Sequence, residues 1–384
     1  MKNFFRRRAV QLALCCLLSA GVTLAAVFWQ FCSITGDGIG ALRFLQAMHI
    51  VKRSFNGEIN DAKLYDGAIK GMVDSLGDPY TVYLDSKDFA RLNEMTEGSF
   101  GGIGIVFGKK GQDYIVISAL PDNPGALAGI KSGDIITAVD GKEAKDMNME
   151  QVAAAIRGQQ GTEVELELKD KEGALRRVRV VRKEIKTISV GGEMLEGTKI
   201  GYIRIAVFNE NTGDDFAKKY RELESEGMQA LVLDLRANPG GLLDAGVAVA
   251  GMLVPKGPIV SVVDRGGSKF TENSPLEQVK YPLAVLVDHG TASAAEIVAG
   301  AVKDTGSGRL FGVQTFGKGS VQSVYRLGSD TAIKVTTAKY YTPSGVSIHN
   351  VGIAPDEIVE LPENVKEDTQ LAAARRYLQD RLAQ

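Results

Sequence analysis

A chain of 384 residues with 47 acidic and 45 basic side chains is long enough for two or three cored domains, and its balanced charge carries no nucleic-acid footprint. The cysteines are Cys15, Cys16 and Cys32, all in or beside the first apolar segment. Beyond residue 32 this excludes a disulfide framework, a cysteine nucleophile and a zinc cluster, and no metal or cofactor is expected.

Residues 1–32 read as a membrane segment. Lys2, Arg6, Arg7 and Arg8 precede a mostly apolar run from Leu12 to Phe31, with Phe28 and Trp29 near its far end. That run is long enough to span a bilayer, and its positive charge lies on one side only. It predicts a single-pass anchor with the rest of the chain outside the cytoplasm. The alternative is a signal peptide cleaved after Ala25-Ala26, which would give a secreted protein. Residues 33–98 read as a helical region, with helices over 41–54 and about 62–76, closed by the breaker Gly77-Asp78-Pro79.

From residue 99 to 182 the chain turns to short β-rich runs: Ile103–Phe107, Tyr114–Ile117, Ile135–Val139 and Val164–Leu168, with a helix over Met149–Ile156. Gly102-Ile103-Gly104-Ile105, Asn123-Pro124-Gly125-Ala126-Leu127-Ala128-Gly129-Ile130 and Lys131-Ser132-Gly133-Asp134-Ile135-Ile136 follow in order. On these segments the region resembles a PDZ domain. Such a domain binds a free C-terminus by adding it as a strand. The resemblance implies that Gly102, Ile103, Gly104 and Ile105 form the carboxylate loop. Val152 and Ile156, one helical turn apart, would line an apolar pocket.

Residues 183–361 alternate strand and helix, as a mostly parallel α/β core does. Strands are expected at Ile200–Ile205, Ala230–Arg236, Ile259–Val263, Leu283–Val287, Leu310–Val313 and Ala332–Thr336, with helices over Thr212–Glu226 and Leu242–Leu253. Residues 362–384 close the chain as an amphipathic helix from Asp368 to Leu382, with Asp368 as its cap.

The chemistry centres on Asp288-His289-Gly290-Thr291-Ala292-Ser293-Ala294-Ala295-Glu296-Ile297-Val298. An apolar strand ends at Val287, and apolar residues then recur at helical spacing from Ala294 to Val302. Ser293 therefore sits on a strand-to-helix turn, where free N–H groups and the helix dipole favour an oxyanion. The competing reading is a capping box, with Ser293 as N-cap and Glu296 at the third helical position. A serine nucleophile needs a base. His289, four residues upstream, and His349, in a loop, are the scarce imidazole candidates. His49 is remote from both. Lys318, in Thr315-Phe316-Gly317-Lys318-Gly319-Ser320-Val321-Gln322, is the better base: flanking glycines allow tight packing, and burial lowers a lysine toward usable pKa values. Gln322 could orient the amine. A phosphate loop is excluded, because the upstream glycine spacing is missing and a Gly separates Lys from Ser.

Residues from about 40 to 360 resemble the carboxy-terminal processing peptidases, serine proteases with a Ser–Lys dyad and an inserted PDZ domain. The motifs are Asp234-Leu-Arg-Ala-Asn-Pro-Gly-Gly241, Gly290-Thr-Ala-Ser-Ala-Ala-Glu-Ile297, Phe316-Gly-Lys-Gly-Ser-Val-Gln322 and Gly352-Ile-Ala-Pro-Asp356. The resemblance implies a core of the crotonase or tail-specific-protease kind, with Ser293 as nucleophile, Lys318 as general base and Gln322 in support. The oxyanion would be held by the N–H of Ala294 and that of Gly240 or Gly241. Thr291 and Ala295 stand where the family often has serine. Substrates would be proteins or peptides with free, apolar C-termini, and homo-oligomers are implied. The alternative, of a different class, is a PDZ adaptor with an inactive protease-like domain.

Overall fold

The computed structural model describes residues 2–361 and 367–384. The side chains of Lys2, Arg6, Arg7, Arg8 and Cys15 lie outside the described set, as does the expected boundary at residue 362. The chain forms two compact units, Met1–Met72 and Val73–Gln384, so the expected helical region 33–98 is divided between them.

In the first unit the helix Lys2–Thr35 is continuous. Its stretch Cys16–Thr35, 20 residues with a mean hydropathy of 1.7, is long and apolar enough to cross a membrane. The next helix, Gly38–Ser54, is capped by Asp37, whose side chain accepts from the N–H groups of Ile39 and Gly40. His49 lies exposed on it.

The second unit carries three larger sheets. One has six strands in the order Val190–Met194, Ile200–Ile205, Ala230–Asp234, Leu283–Val287, Arg309–Gly312 and Glu357–Ile358, parallel except for the first pair. The strands Ala230–Asp234 and Leu283–Val287 are buried at every position because both sheet faces are covered. On one face Leu231, Leu233, Val285 and Val287 pack with Phe216, Val249, Ile297 and Val298 from three helices. On the other, Val232, Ala284 and Leu286 meet Ala374 and Leu378 of the helix Thr369–Leu382. Asp368 caps that helix, accepting from Leu371 N–H at 2.9 Å.

The second sheet departs from the sequence expectation. The strands Gly257–Asp264 and Thr331–Tyr341, expected in the parallel sheet, instead join Lys269–Ser274, Ser320–Leu327 and Val82–Leu84 in an antiparallel sheet. Val82–Leu84 is thus a strand inside the region read as helical. Its pairing partner lies some 250 residues downstream (Val82 with Lys334), and no local pattern carries that information.

The third sheet is that of the PDZ domain, in the order Ile105–Lys110, Asp113–Ala119, Ile135–Val139, Glu163–Lys169 and Leu175–Val181. The helix Met149–Ile156 packs on it, closed at its start by an Asn148–Gln151 capping box. Ile105–Lys110 is an edge strand. The chain enters and leaves this domain along one two-stranded ribbon, Ser99–Gly102 paired with Lys183–Lys186.

Candidate active site

Ser293 links the buried strand Leu283–Val287 to the helix Ala294–Thr305. Its backbone lies at φ 54° and ψ −118°, a conformation that costs a non-glycine residue about 1–3 kcal/mol and persists only where its surroundings impose it. Here they do. Ser293 N–H donates to Glu296 Oε2 at 2.9 Å, Tyr340 Oη donates to the Ser293 carbonyl at 3.1 Å, and Ala292 N–H donates to the Asn238 carbonyl at 2.9 Å. Thr291, fully buried, donates its hydroxyl to the Leu235 carbonyl at 2.8 Å. It pins the turn.

Glu296 does more than cap a helix. It is 0% exposed, and four donors converge on it. Oε2 accepts from Ser293 N–H at 2.9 Å and from Lys318 N–H at 2.8 Å; Oε1 accepts from Gly317 N–H at 2.8 Å and from Thr315 Oγ1 at 2.6 Å. These fill the lone-pair sites of an ionised carboxylate. The serine turn and the lysine loop are therefore tied to one oxygen atom, and their two nitrogens can be no farther apart than those two bonds laid end to end. Its expected role at the capping box accounts for only one of the four bonds.

The flanking glycines of Lys318 are sterically required. A Cβ at Gly317 would stand 2.8 Å from Gly352 N, and one at Gly319 would stand 2.8 Å from His349 N. Lys318 is half-buried, with Nζ 5.1 Å from the centre of the Tyr80 ring. Burial pushes its pKa below the ordinary lysine value, and the charge of Lys334 pushes the same way, against the carboxylates of Glu296 and Asp78. Gln322 lies on the strand Ser320–Leu327, its Nε2 donating to Ser320 Oγ at 3.0 Å and Thr336 Oγ1 at 3.3 Å. Its Oε1 takes no partner among the described residues.

The two candidate glycines differ. Gly240 N–H donates to Asn238 Oδ1 at 2.8 Å and is occupied. The N–H groups of Gly241 and Ala294 take no partner among the described residues. Gly240 packs so closely on the turn that a Cβ there would lie 2.7 Å from Ser293 Cβ and 2.9 Å from Ala294 N. Asn238, fully buried, holds both ends of this contact. Sequence reading passed over it as part of a turn motif.

The histidines fare differently. His289 is exposed. His349 is half-buried beside Gly319, its Nδ1 buried with no hydrogen-bond partner among the described residues. In the PDZ domain the carbonyls of Ile103 and Gly104 accept from Gly125 N–H at 2.7 Å and Leu120 N–H at 2.8 Å, while their own N–H groups take no partner among the described residues. Gly102 is buried just before them and Ile105 opens the edge strand. Val152 and Ile156, expected to line an apolar pocket, are 0% and 4% exposed and pack with Ile103 in the domain core. Apolar residues one turn apart mark the helix face that packs on the sheet, and Ala154 on the other side faces solvent.

Comparison with known proteins agrees with this layout. Residues 199–359 match the model of peptidase family S41, residues 115–170 that of the PDZ domain, and residues 40–88 that of the N-terminal domain of the activating protease CtpB. The carboxy-terminal processing protease CtpA of Bacillus subtilis is 38% identical over 323 residues, covering 84% of this chain and 69% of that protein. The carboxy-terminal-processing protease of Bartonella bacilliformis is 38% identical over 318 residues, covering 80% and 72%. Among solved structures, the photosystem II D1 C-terminal processing protease aligns with a TM-score of 0.50 at 34% identity, over 87% of this chain and 90% of that one. The chain belongs to peptidase family S41 and is a relative of the carboxy-terminal processing proteases.

Proposed function

We propose that the protein is a serine endopeptidase that takes substrates by their C-terminal tails and cleaves them with a Ser293–Lys318 dyad. The observation that carries this reading is the Glu296 clasp, which holds the Ser293 and Lys318 backbones on one carboxylate oxygen. Lys318, depressed by burial, takes the Ser293 Oγ proton as Oγ attacks the scissile carbonyl. The oxyanion forms against the N–H groups of Gly241 and Ala294; Gly240 shapes the turn instead of donating. The Lys318 ammonium then protonates the leaving amine, and an acyl-enzyme remains on Oγ. Water, deprotonated by the same amine, releases the new C-terminus. Gln322 Oε1 aims the amine. The PDZ domain receives the tail on the Ile105–Lys110 edge, with the free N–H groups of Ile103 and Gly104 at its carboxylate. The apolar N-terminal helix anchors the enzyme, with its catalytic unit outside the cytoplasm.

The test uses the full chain in detergent with an unfolded protein ending in an apolar tail, and reads products by mass spectrometry. Cleavage lost in both Ser293→Ala and Lys318→Ala is the expected result. Cleavage that survives Lys318→Ala refutes the dyad and turns attention to His349. Tail binding with no cleavage by the wild type supports the adaptor reading instead.

A further inference from the structure

The segment Asp78-Pro79-Tyr80-Thr81 lies outside the peptidase match at residues 199–359, yet it reaches the lysine. Its anchorage is specific. The strand Val82–Leu84 pairs with Thr331–Tyr341, and Thr336 N–H donates to Thr81 Oγ1 at 3.0 Å. Thr81 Oγ1 donates to Asp78 Oδ2 at 2.6 Å, and Tyr80 N–H donates to Asp78 Oδ1 at 3.2 Å. The Thr336 hydroxyl in turn accepts from Gln322 Nε2 at 3.3 Å. A continuous path therefore runs from Gln322 through Thr336 and Thr81 to Asp78, and Tyr80 leaves that path to lay its ring against Lys318 Nζ at 5.1 Å.

We propose that Tyr80 and Asp78 are positioning residues of the active site, Tyr80 by covering the Lys318 amine with its ring and Asp78 by fixing that ring and, through Thr81 and Thr336, the Gln322 amide. The proposal rests on the Ser–Lys reading above. Its physical content is differential. A ring face at this distance keeps water off the neutral amine and attracts the ammonium that forms as Ser293 loses its proton. One side chain thus makes the base available and also stabilises its charged product. Lys334, Glu296, Asp78 and Tyr80 face the amine, while Tyr340 neighbours Tyr80 and His349 neighbours Asp78. Of the influences on Lys318, burial is the largest, so removing the ring moves the amine toward ordinary lysine behaviour. Removing the Asp78 charge moves it the other way.

The experiment measures kcat/KM against pH for the full chain in detergent, with thermal unfolding recorded alongside. Tyr80→Ala is expected to shift the acid limb to higher pH and to lower kcat/KM at pH 7 about tenfold. Tyr80→Phe, which keeps the ring, restores the wild-type limb, and Asp78→Asn shifts it to lower pH. An unmoved limb in a stably folded Tyr80→Ala overturns the proposal. Should that variant melt early, Tyr80→Leu is read instead: it keeps cover without a π face, so a lowered plateau supports the proposal and a wild-type plateau overturns it. Lys318→Ala separates the two readings. If its acid limb persists, the dyad fails; if the limb disappears while Tyr80→Ala leaves it in place, only the role of Tyr80 fails.

Discussion

Replacing Glu296 by glutamine changes one atom at the point where the serine turn and the lysine loop are joined. The carboxylate accepts from four donors and is fully buried. Glutamine offers one oxygen, which can serve two of those donors, and turns an NH2 group toward the other two. Each buried donor left without a partner costs about 1–3 kcal/mol, so the substitution costs about 4 kcal/mol. That exceeds the strain of about 1–3 kcal/mol held at Ser293, so the turn is expected to relax. Displacement of a reacting atom by about 1 Å lowers turnover about a hundredfold. Thermal unfolding of the full chain should show the catalytic unit melting about 10 °C lower, and cleavage of a tail-bearing substrate should fall in parallel. A variant that melts with the wild type and cleaves at the wild-type rate would refute the clasp as a source of either stability or alignment.

Other substitutions test neighbouring features. Gly241→Ala places a Cβ 1.9 Å from the Phe208 carbonyl oxygen at φ 140°, and should abolish cleavage and lower the melting temperature. Lys318→Met should stabilise the protein near neutral pH, because the folded state lowers this lysine's pKa and so binds fewer protons than the unfolded chain. Wild-type stability then rises with pH from the folded pKa toward about 10.4, and the melting difference between the two proteins should narrow over that window. Arg236 donates to Asp234 Oδ2 at 2.6 Å and to Asp368 Oδ1 at 2.9 Å, tying the strand Ala230–Asp234 to the cap of the last helix. Arg236→Ala leaves the buried Asp234 without its cation, costs about 3–5 kcal/mol, and should show as faster hydrogen exchange in the helix Thr369–Leu382.

What was legible in the sequence was whatever local pattern could carry. The strand-to-helix turn at Ser293 shows because a fully buried strand is uniformly apolar and the following helix is amphipathic. The helices Met149–Ile156 and Thr369–Leu382 show for similar reasons. Glu296 was only partly legible. Its cap role lies within three residues, whereas Thr315, Gly317 and Lys318 reach it from 19 to 22 residues away. Asp78 reads only as part of a helix breaker, because Thr336, which reaches it through Thr81, stands on a strand that no periodicity links to it. The antiparallel sheet was missed for the same reason: alternating strands and helices predict neighbours in order, and Thr331–Tyr341 pairs with a strand from the opposite end of the unit.

The ribbon that carries the PDZ domain has one more implication. Ser99 stands opposite Lys186, so the inserted domain begins and ends at adjacent points of the host. Asn211 Nδ2 and Glu210 N–H hold the foot of that ribbon through the Glu97 and Thr96 carbonyls at 3.0 and 2.9 Å. A graft of this geometry leaves the host's chain path nearly unchanged, so the PDZ domain and its host are free to diversify separately. The two strands of the stem are also a narrow mechanical coupling: they join the host at Thr96 and Glu97, the end of the helix Ser86–Glu97, which leads back through the strand Val82–Leu84 to Asp78 and Tyr80.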